Sequence, residues 1–171
     1  MITTNVDALV RQLEDLHKET TRKLERMVEE FAEAFAEEAI FNTPVGDKET
    51  YANLYQIRAR IYGWSEDPGL ARGNWNFDSG AYTSFSFDRN ANDPTGSLSM
   101  SRVNSQVSEY KLGQTIWLVN PTPYVYKDGV MGGQSLESGY SKQAPNGITA
   151  PTIDYIVNVY QYNFKTVFDR V

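Results

Sequence analysis

The first residues in this chain that could do chemistry are glutamates at helical spacing. Between residues 29 and 38 the chain places five of them, Glu29, Glu30, Glu33, Glu37 and Glu38. Carboxylates four residues apart share one face of a helix, where they could bind a divalent cation or act as an acid–base pair. The same spacing is that of a solvated helix face, and the single histidine, His17, has no second ligand at metal spacing. We interpret the run as a solvated face and predict no metal site.

Nucleophile and phosphate-binding motifs are absent from the sequence. The glycine-rich stretch Gly129–Gly133 lacks the Gly-Lys-Ser/Thr ending and the following helix of a phosphate loop. No Gly-x-Ser-x-Gly elbow occurs, and the absence of cysteine excludes disulfides, thiolate zinc sites and cysteine nucleophiles. We therefore predict a protein that is not an enzyme and that has no catalytic residue, bound metal or cofactor. A small hydrolase with an unrecognised site is the alternative.

A long polar segment, residues 128–148, has the most distinctive composition in the chain. Its second half, Leu136–Ile148, reads LESGYSKQAPNGI, and Gly and Pro interrupt it as in a loop that leaves a strand. A loop of this length in a compact domain is usually functional or disordered. Because loops run over the surface, we expect Tyr140 and Lys142 to contact a neighbouring subunit or an adjacent ring.

The N-terminal region, residues 4–41, reads as one long helix, because apolar residues recur at helical spacing from Val6 to Phe35. Because of the polar gap at Glu19–Lys23, two helices separated near Thr20 and Thr21 are the alternative interpretation. Pro44 should end the helix, because the residue before a proline avoids the α region. A helix of about 38 residues is about 57 Å long, whereas a globule of 171 residues has a radius of gyration of about 16 Å. We predict that this helix extends beyond the globular body and packs between subunits.

Strand patterns occupy the middle of the chain. The strongest is Gln114–Asn120, and weaker ones cover Asn74–Phe77 and Ala81–Arg89, where aromatic and polar residues alternate. Residues 124–127 are read as a continuation or partner of the strongest strand. Of Tyr124 and Tyr126, we expect one in the core and the other exposed.

Two further helices are predicted after the first. Ser101–Tyr110 looks helical, and in Thr152–Arg170 the apolar residues repeat at i, i+3, i+4 and i+7. Thr50–Tyr62 is ambiguous between helix and exposed loop. The predicted fold is α+β: a long N-terminal helix and a C-terminal helix pack on a small antiparallel sheet, with a long loop.

Length and composition indicate a single domain over residues 1–171, with a helical arm at 1–42 and an α+β body at 43–171. Hydrophobic residues make up 40% of the chain and aromatic residues 13%, which suffices for a core. No run of about 18 apolar residues occurs, so no membrane span is predicted.

Acidic charge is concentrated near the N-terminus. Residues 1–40 hold 10 Asp/Glu and 5 Lys/Arg, a net charge of −5, against −6 for the whole chain. Binding to duplex DNA normally requires a basic patch that displaces counterions, and no segment carries one. We predict no useful duplex binding; the alternative is a basic face assembled by folding from Arg58, Arg60, Arg72, Arg89 and Arg102.

Four motifs, in order along the chain, resemble the neck and tail-completion proteins of tailed bacteriophages. They are Thr43-Pro-Val-Gly-Asp47, Gly69-Leu-Ala-Arg-Gly-Asn-Trp75, Asn120-Pro-Thr-Pro-Tyr124 and Leu136–Ile148. In the last motif, Tyr140 stands where the family commonly has Trp and Ile148 where it commonly has Met. The segment Lys48–Pro68 is an insertion relative to the family pattern, in which the first two motifs are continuous.

The resemblance implies a structural virion protein that forms a homo-oligomeric ring in the neck, at the head–tail junction. A hexamer is favoured, with a dodecamer as the alternative. The implied partners are further copies of this chain and adjacent neck, portal-adaptor or tail-terminator proteins. Viral DNA would be only a passing, non-specific neighbour, and no membrane is involved. The protein would reside in the virion, and in the host cytoplasm during assembly.

A minor capsid component or a tail-tube-associated protein is the alternative role within the virion. For the ring we expect inter-subunit contacts from Trp75, Tyr124, Tyr126, Leu136, Glu137, Tyr140, Lys142 and Pro145. For Trp75, packing in the core is the alternative to an interface.

Overall fold

The computed structural model describes residues 6–81, 84–127, 135–139 and 141–170, and of residues 160–170 the backbone alone. Five helices and two strands are present in these ranges. In chain order they are α1 (Val6–Asn42), α2 (Ala52–Tyr62), β1 (Asn76–Ser79), α3 (Ser97–Val107), β2 (Ile116–Val119), α4 (Pro123–Tyr126) and α5 (Thr149–Arg170). The predicted α+β class, with a long N-terminal helix, a C-terminal helix and a small antiparallel sheet, is confirmed.

Helix α1 runs unbroken for 37 residues. The polar gap at Glu19–Lys23 does not interrupt it, so the single-helix interpretation is confirmed. Its C-terminal part enters the core through Ala32, Ala36, Ala39 and Ile40. These residues recur three and four positions apart, as expected for one face of a helix. The helix ends at Asn42, two residues before Pro44, as the proline rule predicts.

The sheet has two antiparallel strands, with Phe77 opposite Leu118 and Ser79 opposite Ile116. Because side chains alternate between the faces of a strand, Phe77, Leu118 and Ile116 share one face. Phe77 is buried there and the other two are partly buried. On the opposite face Trp117 is 39% exposed and donates from Nε1 to the Gly80 carbonyl at 3.2 Å. One face of the sheet therefore packs on the core, and the other is open to solvent at Trp117.

Helix α3 joins the sheet to α1. Val103 and Val107 are fully buried, and the Gln106 side-chain oxygen accepts a hydrogen bond from the Phe77 amide at 2.9 Å. The buried Asp93 carboxylate accepts from the amides of Gly96 and Ser99 at 2.9 and 2.8 Å. It therefore caps the start of α3, where backbone amides have no helical partner.

The start of helix α5 packs on the C-terminal half of α1. The Asn42 side-chain nitrogen Nδ2 donates to the Thr152 hydroxyl at 3.1 Å, and that hydroxyl donates to the Ile148 carbonyl at 2.7 Å. Thr152 is fully buried, and Ile156 is 4% exposed. The predicted C-terminal helix is thus present and begins three residues earlier than the sequence pattern indicated.

Two strand predictions are wrong. Residues 84–88 within Ala81–Arg89 have no strand structure, and residues 82–83 lie outside the described part of the chain. Residues 124–127 do not continue the sheet, because Pro123 begins the one-turn helix α4. A proline fits the first turn of a helix and has no amide for a sheet ladder. The ambiguous segment Thr50–Tyr62 contains α2.

Candidate assembly surfaces

The first two motifs are joined by a buried hydrogen bond. The Trp75 indole Nε1 donates to the Thr43 hydroxyl at 2.7 Å, and this hydroxyl donates to the Ala39 carbonyl at 2.8 Å. Thr43 is fully buried and Trp75 is 3% exposed. The pair fixes the turn that carries Trp75 against the last turn of α1, so both residues have a structural role within the chain.

Arg72, in the second motif, caps the C-terminal end of α1. Its guanidinium donates to the carbonyls of Thr43, Phe41 and Pro94, with the shortest bonds at 2.7 Å. The last carbonyls of a helix have no helical partner and form its negative dipole end, which a cation stabilises. Burial lowers the pKa of Arg72, but an arginine side chain remains charged at physiological pH.

The third motif is tied to the same turn from the other side. The Asn120 side-chain nitrogen donates to the Ala71 carbonyl at 2.8 Å, and its oxygen accepts from the Thr122 amide at 3.1 Å. The Tyr124 hydroxyl bonds to the Ala71 backbone, and burial is the main cause that raises the pKa of Tyr124 to about 12. Residues 71–75 are therefore the point at which three motifs meet. We call Thr43, Arg72, Trp75, Asn120 and Tyr124 the motif cluster.

Glu137 in the fourth motif caps helix α5. Its carboxylate accepts from the amides of Ile148 and Thr149, both at 3.1 Å, and from the Thr149 hydroxyl at 2.6 Å. A carboxylate at a helix N-terminus satisfies free amides and complements the positive dipole end. A Cβ at Gly147, whose φ is +74°, would lie 3.0 Å from the Glu137 carboxylate. The spacing of Glu137 and Gly147 in the motif is thus explained by this cap.

The eight expected interface residues divide by burial. Trp75 and Leu136 lie in the hydrophobic core, at 3% and 5% exposure, because each packs within its own chain. Tyr124 and Glu137 are partly buried, and both have partners within the chain. These four residues offer little free surface to a second subunit.

Three other members of the set lie at the surface. Tyr126 is 54% exposed, which agrees with the expectation that one of the two tyrosines is exposed. Lys142 and Pro145 are also exposed. Tyr140 lies outside the described residues. A contact with a neighbouring subunit stays a prediction for all eight positions.

Three of the five arginines that could have formed a basic face are bound to backbone carbonyls. Arg58 is 3% exposed, lies 4.3 Å from the centre of the Tyr55 ring, and donates to the carbonyls of Ser65 and Asp67. Arg102 donates to the carbonyls of Gly73 and Trp75. Together with Arg72, these residues direct their guanidinium groups at backbone carbonyls within the chain.

The first surface that fits an assembly role is the N-terminal part of α1. All residues from Val6 to Thr20 are exposed. From here on, the arm means this exposed segment alone and not the whole helical region 1–42. Five apolar side chains on it are between 46% and 59% exposed: Val6, Leu9, Val10, Leu13 and Leu16. Fifteen helical residues extend for about 22 Å. The predicted extension of the helix beyond the body is present in the structure.

The second surface is an apolar groove between α1 and the sheet. It has a volume of 240 Å³ and is lined by Phe31, Ala32, Phe35, Phe77, Ile116 and Leu118. We call it the groove. Its sheet wall was not recognised from the sequence, because the three residues from β1 and β2 meet only through strand pairing. The apolar positions of both strands are the signal from which it could have been inferred.

Features of other functional classes are absent from the described residues. Within these ranges no group of three or more His, Cys, Asp or Glu side chains could hold a metal ion. None of the helices in the same ranges is long and apolar enough to span a membrane. In the glutamate run of α1, Glu30 pairs with Arg26 at 3.3 Å.

Comparison with known proteins relates the chain to a bacteriophage protein family. Residues 7–83 match the model of the HK97-gp10-like family, described as "Bacteriophage HK97-gp10, putative tail-component". The match covers the arm from Asp7 onward, the rest of α1 and the first two motifs. The resemblance to tailed-phage structural proteins, inferred from the motifs, is confirmed at this level. No curated protein and no solved structure matches the chain.

Proposed function

From this match to a phage tail-component family, we propose that the chain is a structural virion protein that forms a homo-oligomeric ring in the neck, at the head–tail junction. The family describes a tail component of a phage, and the position in the neck goes beyond that description. The motifs support a position in the neck, because their order and residue sequences resemble those of neck and tail-completion proteins.

The exposed arm is the observation that carries the proposal. Its five large apolar side chains are about half exposed, and contiguous exposed apolar surface marks sites of protein association. A helix of about 15 residues without packing is marginally stable in water. The arm therefore requires a partner for its apolar side, and a ring built from head-to-tail contacts supplies one to every subunit.

The charge of the chain is consistent with a place beside a DNA path. The net charge is −6, and three arginines donate hydrogen bonds to backbone carbonyls. Surfaces of this kind do not attract phosphates strongly. A neck ring must let DNA pass without holding it, so weak repulsion is compatible with this role.

The oligomeric state tests the ring directly. Native mass spectrometry and electron microscopy of the purified chain should show closed rings, with a hexamer favoured and a dodecamer as the alternative. A monomer at every concentration tested, also in the presence of neck and tail proteins of the same phage, would refute ring formation.

The location in the particle requires a separate measurement. Gold-labelled antibody against this chain should mark the junction between head and tail of the phage that carries it. Label along the tail tube or over the capsid would instead support the tail-tube-associated or minor capsid role.

A further inference from the structure

The arm and the groove are two apolar surfaces of the same chain that cannot meet within one molecule. Leu13 in the arm and Phe35 in the groove belong to the same unbroken helix. They are 22 residues apart, which corresponds to about 33 Å along the helix axis. A continuous helix cannot fold back on itself over this distance. A groove that covers an arm must therefore belong to another molecule.

The groove is of a size and chemistry that suits the side chains of such a helix. Its lining consists of aromatic and aliphatic side chains, and its volume of 240 Å³ admits apolar side chains but not a whole helix. Helices pack on protein surfaces in this way, by inserting the side chains of one ridge into a complementary depression. The arm presents such a ridge, because Val6, Leu9 or Val10, Leu13 and Leu16 recur three to four residues apart.

We propose that the arm of one copy of this chain docks in the groove of a second copy. Every subunit then supplies one arm and one groove, so the two apolar surfaces occur in equal number and each covers the other. In a closed ring each subunit makes the contact twice, once with its arm and once with its groove. This inference rests on the homo-oligomer of the proposed function and names the surfaces that form it.

The absence of cysteine from the chain makes a specific cross-linking test available. Two single variants, Leu13→Cys in the arm and Ile116→Cys in the groove, are produced with different tags and co-expressed. A short bifunctional maleimide should link the two differently tagged chains. Asp15→Cys, an exposed arm position off the apolar stripe, is the matched control and should give little cross-linking to Ile116→Cys.

The outcomes separate this inference from the proposed ring. Assembled oligomers without a link between the two chains would overturn the docking of arm in groove and leave the ring intact. Linking of Leu13→Cys to itself, without Ile116→Cys, would show that arms pair with arms. A monomer in native mass spectrometry would overturn both proposals. Binding of the arm only to a different neck or tail protein would also overturn this one.

A second variant checks the result without a cross-linker. Leu13→Gln removes an apolar side chain from a segment outside the core, so the body should keep its near-ultraviolet circular dichroism. We expect the association of subunits to weaken about tenfold or more, as for an apolar anchor at an interface. Asp15→Asn, on another side of the arm, should leave association within about twofold. Unchanged association of Leu13→Gln would contradict the proposal.

Discussion

Replacing Glu137 by alanine should destabilise the folded chain, because Glu137 caps helix α5. The substitution removes three hydrogen bonds at once, from the amides of Ile148 and Thr149 and from the Thr149 hydroxyl. It also removes a negative charge from the positive end of a helix of 22 residues. The affected helix packs on α1 through Thr152, so the loss reaches the core.

The magnitude follows from the exposure of the site. Removal of an N-terminal cap costs about 0.5–2 kcal/mol, and hydrogen bonds to a charged group lie at the upper end of that range. Glu137 is partly buried and Thr149 is exposed, so water replaces part of the lost bonding. We expect a decrease of about 1–2 kcal/mol in the free energy of unfolding, which lowers the midpoint by about 2–8 °C in a domain of this size.

Thermal unfolding followed by circular dichroism measures this change. Glu137→Gln keeps an acceptor oxygen without the charge and should fall between the wild type and Glu137→Ala. Glu109→Ala removes an exposed carboxylate in the turn after α3 and is the matched control, with a midpoint close to wild type. Glu137→Ala with unchanged stability but failed assembly would refute the cap and make Glu137 a subunit contact.

Three further predictions concern the motif cluster, the acidic face of α1 and nucleic acid. Thr43→Val should lower the free energy of unfolding in urea by about 1–3 kcal/mol, because the buried Trp75 Nε1 loses its acceptor. The pKa of Glu33 is raised from 4.5 by burial and then by Glu29 and Glu30, so the folded state binds the proton more tightly than the unfolded chain. The contribution of Glu33 to stability should therefore fall as pH rises above about 4.5, and Glu33→Gln should melt above the wild type at pH ~7 and equal it near pH ~3. In a titration at low salt, where attraction is strongest, the purified protein should not bind duplex DNA, because three arginines are held by backbone carbonyls.

Each of these predictions has an outcome that contradicts it. Thr43→Ser keeps the hydroxyl and should remain close to wild type, whereas Thr43→Val keeps the volume of the side chain. A loss of stability in Thr43→Ser without a loss in Thr43→Val would mean that side-chain volume, not the hydrogen bond, matters. A Glu33→Gln variant that is less stable at neutral pH would reverse the sign of the argument. Micromolar DNA binding that weakens steeply with salt would show that the remaining basic side chains form a binding face.

Helix α1 could be predicted from the sequence because its signals are local. The apolar stripe, the absence of internal proline and the stop at Pro44 all lie within the segment itself. Strand-like residues 84–88 show the opposite case: alternation describes a strand only if another strand is available to pair with. In the structure β1 pairs with β2, and residues 84–88 have no place in the sheet.

The motifs show a second limit of sequence reasoning. The residue sequence of the fourth motif predicts a surface contact. In the structure, the Glu137 carboxylate instead accepts from the amides of Ile148 and Thr149, eleven and twelve residues later, at the start of α5. The role of Trp75 depends on Thr43, thirty-two residues earlier. A residue pattern preserves such pairs without showing which members touch. The three-dimensional neighbours of a motif residue decide whether it supports the fold or meets a partner.

Because the arm is exposed, the rate at which proteases cleave it should show whether a subunit is free or assembled. Local opening of a helix that has no tertiary packing costs little, so cleavage follows the helix–coil equilibrium of the arm and not the stability of the body. Arg11 and Lys18 are trypsin sites within this exposed segment. Free subunits would lose the arm rapidly, whereas subunits whose arm is covered would keep it. A cell that degrades unassembled chains would thereby remove surplus subunits and spare those already built into a particle.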